Sequence, residues 1–142
     1  MKQPTVEQII YQLQQLKITD YEITDQGINV FGDVKIPVNS TEIPIQFNIV
    51  SGSFHCSYTK ITSLRGAPRE VGGSFYCTVT KITSLEGAPR EVGGSFGCCY
   101  TPITSLKGAP REVGGHLDCY CTNMEGKPDT TGINIDGELK WN

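Results

Sequence analysis

The sequence predicts a mainly β solenoid of about six turns, each 20–22 residues long, closed at its N-terminal end by an amphipathic helix and a β-hairpin. Three observations carry this expectation. GSFHCSYTKITSLRGAPREVG, GSFYCTVTKITSLEGAPREVG and GSFGCCYTPITSLKGAPREVG follow one another from Gly52 to Gly114 without a spacer. A repeat this short has too few apolar residues to close its own core, so each copy must bury its apolar face against its neighbours. The same template reaches beyond the clear copies, because Val34, Phe54, Phe75, Phe96, Leu117 and Leu139 lie 20, 21, 21, 21 and 22 residues apart. Finally, GINVFGDVKI (Gly27 to Ile36) and GINIDGELKW (Gly132 to Trp141) resemble each other across the block. The 142 residues make one structural domain, with residues 1–31 as cap and 32–142 as repeats.

Taken in order, Val6, Ile9, Ile10, Leu13 and Leu16 recur at helical spacing between Pro4 and Leu16, and Thr5 with Gln8 has the form of a capping box. Tyr21 to Thr24 and Ile28 to Val30 flank Asp25, Gln26 and Gly27, which suits a hairpin that blunts the first edge of the solenoid. In each clear copy a Val, Phe, Cys, Thr and Ile keep a constant spacing, as in Val50, Phe54, Cys56, Thr59 and Ile61. Val30, Val34, Ile36 and Asn39 form a degenerate turn before the block; Ile135, Leu139 and Trp141 form one after it. The Phe-x-Cys segments are expected to be short parallel strands with Phe and Cys inward, and the Ile and Leu of ITSL to close the other side. Gly-Ala-Pro turns the chain and the Gly-Gly pairs mark a tight corner. Arg69-Glu70, Arg90-Glu91 and Arg111-Glu112 should form adjacent charge columns on the solvent side, with cross-rung pairs offsetting like-charge repulsion.

The pattern F-x-C-x-x-T-x-I-x-x-L resembles the core of leucine-rich repeats, with Thr59, Thr80, Thr101 and Thr122 where that core has Asn. A hydroxyl offers one donor where an amide offers two, which predicts a weaker side-chain ladder. The segment Gly52 to Gly114 is more similar still to the short LTSLEGAP/EVGG-type repeats of small proteins from tailed bacteriophages and large DNA viruses. That resemblance implies a leucine-rich-repeat-like solenoid and a small viral accessory protein, working in the cytoplasm of an infected cell.

Composition narrows the function classes. Lys and Arg against Asp and Glu number three to six in residues 1–51, seven to four in 52–114 and two to five in 115–142. No dense basic patch for nucleic acid results. No run of 18 apolar residues spans a membrane, and Met1 to Lys17 does not read as a signal peptide, so the six cysteines are expected to be reduced thiols. Cys56, Cys77, Cys98 and Cys119 read as core residues of one inward column. Cys99, Cys121 and His116 lie on adjacent rungs, but a parallel ladder lines side chains up rather than converging them on a tetrahedral metal, so no metal or other cofactor is expected. His55 and His116 lie three rungs apart, too far to act together, and no nucleophile has an evident base. The chain reads as non-catalytic.

Residues that differ between copies are where a partner would be read. The outward strand positions and the one that follows place His55, Tyr58, Tyr76, Tyr100, Asp118 and Tyr120 on a common surface, rich in the residue type favoured at protein interfaces. The leading expectation is a protein-interaction module that binds and inhibits a host enzyme or defence complex. The alternatives are a structural or assembly component of the virion and a small-ligand or metal-binding protein. Leu139 and Trp141 on the last rung are expected to form an exposed edge through which two copies join end to end as a homodimer.

Overall fold

The computed structural model describes residues 3–141. Helix α1 (Val6–Gln15) begins at the predicted capping box: Gln8 N donates to Thr5 Oγ1 at 3.1 Å, and Thr5 N donates to Gln8 Oε1 at 2.8 Å. It ends in a reversal in which Lys17 takes a left-handed φ of 58° while its N–H and that of Ile18 reach back to the carbonyls of Gln14 and Leu13. Leu13 is buried completely, and Ile9 and Leu16 pack beside it against the solenoid core. Strands β1 (Tyr21–Thr24) and β2 (Gly27–Val30) form the expected antiparallel hairpin. Strand β2 is at the same time the first strand of the solenoid, because it pairs in parallel with the next strand of its sheet.

From there each turn contributes two very short strands. The first sheet continues through β4 (Phe47–Val50), β6 (Glu70–Val71), β8 (Glu91–Val92), β10 (Glu112–Val113) and β12 (Asn134–Ile135). The second consists of β3 (Val34–Lys35), β5 (Phe54–His55), β7 (Phe75–Tyr76), β9 (Phe96–Gly97), β11 (Leu117–Asp118) and β13 (Leu139–Lys140). All pairings after the hairpin are parallel, and equivalent residues face each other, Phe54 opposite Phe75 and Phe75 opposite Phe96. The second sheet thus has the six expected rungs, joined by about five circuits of chain.

The inward columns are those read from the sequence. Phe54, Phe75, Phe96 and Leu117, with Cys56, Cys77, Cys98 and Cys119, are fully buried, as are Ile61, Ile82 and Ile103. The phenyl rings stack face to face, Phe54 on Phe75 at 5.2 Å between centroids and Phe75 on Phe96 at 5.4 Å. The Val of each Glu-Val pair closes the opposite wall in the first sheet, whereas the ITSL segment buries its Ile and Leu without forming a strand.

Close approach between rungs explains the Gly-Gly corner between the sheets. A Cβ on Gly72, Gly93 or Gly114 would overlap the carbonyl oxygen of Ser51, Gly72 or Gly93 in the preceding rung. The Gly of Gly-Ala-Pro answers a different need, since Gly66, Gly87 and Gly108 have φ of 96°, 90° and 91°.

Three expectations change. Asn39 is exposed and does not stand in for the buried Thr59: Lys60 N donates to the Ser40 carbonyl where Lys81 N donates to that of Ile61, so Ser40 takes the place of Ile61 and the residue missing from the first turn lies between Ile36 and Ser40. Replacing Asn by Thr does not weaken a ladder either. Thr59, Thr80 and Thr101 donate to the carbonyls of Cys56, Cys77 and Cys98 of their own rung at 2.7–2.8 Å, so one hydroxyl closes the corner locally. Thr122 instead accepts from Met124 N at 3.4 Å. The third change concerns charge: the column Glu70, Glu91, Glu112 is in register, but among the described residues no ion pair ties it to Arg69, Arg90 and Arg111.

A candidate protein-binding face

The outward surface of the second sheet is built from alternation. With Phe and Cys of each rung pointing in, the residue between them and the residue after Cys point out. The pairings align Lys35, His55, Tyr76 and Gly97 in one column, continued by Asp118 and Lys140. Ser57, Thr78, Cys99 and Tyr120 lie beside them, joined by Thr78 N donating to Ser57 Oγ at 3.1 Å and Tyr120 N to Cys99 Sγ at 3.3 Å.

The next position turns the corner. Tyr58, Val79, Tyr100 and Cys121 all take left-handed conformations, with φ of 61°, 55°, 56° and 53°. Their backbones still stack, because Tyr58, Val79 and Tyr100 donate to the carbonyls of Thr78, Cys99 and Tyr120 at 2.9–3.0 Å. The sharp turn throws the side chains outward, leaving Tyr58 67% and Tyr100 60% exposed. Two rungs separate them, roughly 10 Å at the spacing of parallel strands. A hydrogen bond with the Cys121 thiol, and then the charge of that thiol, pushes the Tyr100 phenol above its ordinary pKa.

All six predicted binding residues therefore share one face and its corner. His55 and Tyr76 are in direct contact, with rings stacked 5.8 Å apart at 21°. Tyr76 leans the other way as well: a Cβ on Gly97 would stand 2.7 Å from its Cδ1, so the ring fills the space left by the missing side chain and Gly97 is buried beneath it. Asp118, opposite Gly97, holds a carboxylate oxygen, Oδ1, that is buried and has no hydrogen-bond partner. The Gly97 notch escapes sequence reading, although Gly at one rung of an otherwise side-chain-bearing column is its signal.

The cysteines divide as their positions dictate. Burial pushes Cys56 up to about 12 and Cys119 up to about 11, and raises Cys77 and Cys98 strongly as well. These thiols are poor nucleophiles and poor metal ligands, since both roles need the thiolate. Cys99 is half-buried and raised mainly by that burial, while Cys121 is exposed.

His116 has a structural task that the sequence hides. Backbone N–H groups of successive rungs donate to side chains of the rung before: Ser53 N to Asp33 Oδ1, Ser74 N to Ser53 Oγ, Ser95 N to Ser74 Oγ, and His116 N to Ser95 Oγ, at 2.8–3.0 Å. His116 continues the ladder by accepting from Glu138 N on Nδ1 at 3.0 Å, which leaves its ring proton on Nε2. Among the described residues, no three His, Cys, Asp or Glu side chains are grouped to hold a metal ion, Cys99, Cys121 and His116 included. Nor is any described helix long and apolar enough to cross a membrane. No family model, curated protein or solved structure matches this chain.

Proposed function

We propose that this protein is a non-catalytic interaction module that binds a host protein through the outward face of its second sheet and the tyrosine corner beside it. The observation that carries the reading is the division of labour within the repeat. Positions identical in the three clear copies supply the core and the turns, as Phe54, Phe75 and Phe96 and the Gly-Gly corners do, together with the uniform Arg-Glu columns at the first sheet. Of the five positions that vary, three (those of His55, Ser57 and Tyr58) fall together on one outward face and its corner, where Tyr58, Tyr76, Tyr100 and Tyr120 offer large rigid rings at small cost in side-chain entropy. The resemblance to phage repeat proteins adds the class of role: a small accessory protein in the cytoplasm of an infected cell that occupies and inhibits a host enzyme or defence complex.

The experiment is affinity capture from host lysate with wild-type protein and a Tyr58→Ala, Tyr100→Ala variant, followed by identification of the captured protein and assay of its activity. A host protein retained by wild type, lost by the variant and inhibited in solution is the expected result. Co-purification with virus particles instead makes the chain a virion component.

A second surface supports self-association. Strands β12 and β13 are the outer strands of their sheets, and Ile135, Leu139 and Trp141 are only half-buried there, whereas Val113, Leu117 and Cys119 one rung inside are buried. An end-to-end homodimer pairs these edges about a two-fold axis. Light scattering at tens of micromolar tests it, with a Leu139→Lys, Trp141→Lys variant expected to be monomeric.

A further inference from the structure

We infer that Tyr76 swings off Gly97 to let an arginine side chain of the protein partner reach Asp118; this rests on the reading of the same face as the binding surface. Asp118 Oδ1 is the one buried side-chain oxygen or nitrogen without a hydrogen-bond partner among the described residues. Such an acceptor costs free energy until a donor reaches it. The nearest candidate within the chain does not serve: Lys140 lies directly opposite in the next rung, yet no ion pair joins it to Asp118. On the other side stands Gly97, which has no side chain to offer, and across it lies the Tyr76 ring.

These features complement a guanidinium. Rotation of the Tyr76 side chain off Gly97 opens a flat space, bounded by an aromatic face and ending at a carboxylate. A planar cation with several N–H donors can stack on the ring and donate to Asp118 together, which a lysine ammonium cannot do as well. Tyr120, two residues further along the rung of Asp118, and His55, stacked on the far side of Tyr76, extend the apolar surround. His116, two residues before Asp118, has its Nδ1 occupied by Glu138 N.

The test is titration of isotope-labelled protein with acetyl-Gly-Arg-Gly-amide, followed by amide chemical shifts, beside the matched Lys and Glu peptides. Saturable shifts centred on Gly97 and Asp118 are expected with the Arg peptide. Asp118→Asn should weaken that binding about tenfold, the worth of a charge-assisted hydrogen bond. Tyr76→Leu should weaken it several-fold, and the Lys peptide should bind several-fold less tightly than the Arg peptide. The spectrum of each variant reports whether it is folded. Equal binding of the Lys peptide overturns the guanidinium assignment. Shifts at this face from the Glu peptide and none from the Arg peptide overturn the inference, while leaving the face as a binding surface for an acidic partner. An Arg response unchanged in Asp118→Asn also overturns it. Failure of the surface reading itself looks different: capture of the host protein would survive loss of Tyr58 and Tyr100.

Discussion

Raising the pH above 9 should unfold this protein through its own core. The inward column holds Cys56, Cys77, Cys98 and Cys119, each fully buried. Burial holds these thiols well above the ordinary thiol value of about 9, with Cys56 at about 12 and Cys119 at about 11. The sign follows from linkage. A thiol whose pKa is raised on folding contributes its full stability below pH 9, and loses it as pH rises toward the folded value, because the unfolded chain ionises first. For the folded values of Cys56 and Cys119, the loss at pH 10 is about 1.4 kcal/mol per thiol and about 3 kcal/mol for the two, and Cys77 and Cys98, raised by burial in the same direction, add to it. That is a large part of the whole stability of a typical domain, about 5–15 kcal/mol. Urea unfolding followed by circular dichroism at half-unit steps from pH 7 to 10.5, with reductant present, measures the slope. Cys56→Ala should be less stable than wild type at pH 7, and its stability should fall less steeply above pH 9, by about 1.4 kcal/mol at pH 10. A slope unchanged in Cys56→Ala, or a flat profile in wild type, refutes the reasoning.

Other substitutions probe the rungs one contact at a time. Gly93→Ala should destabilise by about 3 kcal/mol, because its Cβ would overlap the Gly72 carbonyl and force two rungs apart; Gly126→Ala, with φ of 71° and nothing within 4 Å of its Cβ, should cost only about 1 kcal/mol. Both are read from thermal or denaturant unfolding. Ser74→Ala removes the acceptor of Ser95 N at 2.9 Å and should cost about 1 kcal/mol, visible also as faster amide exchange at Ser95. Val79→Asn should stabilise by about 1 kcal/mol, since a β-branched residue is strained at φ of 55° where Asn is not. A lower melting temperature for Val79→Asn would contradict that account.

The chain by itself determined whatever depends on neighbours close in sequence or on the period of the repeat. The capping box of Thr5 and Gln8 involves residues three apart, and the structure contains it. The near-constant spacing from Val34 to Leu139 dictated six rungs, and the alternation within Phe-x-Cys decided which side chains face in. From the same alternation came the shared face of His55, Tyr76, Asp118 and the tyrosines. Only the tertiary structure decided what passes between rungs. A Glu-Val strand of two residues is too short to show periodicity, so the first sheet beyond its hairpin becomes visible only when its parallel strands stack. The ladder from Asp33 to His116 joins atoms 20 or 21 residues apart whose meeting depends on register, and the 20-residue first turn moves Asn39 out of the place its sequence position suggested. The arrangement at Gly97 lies furthest from sequence reading. One ring leans across one missing side chain and, a rung further on, one carboxylate oxygen is buried without a partner; side-chain direction between stacked rungs is settled by packing in three dimensions, which no local pattern encodes.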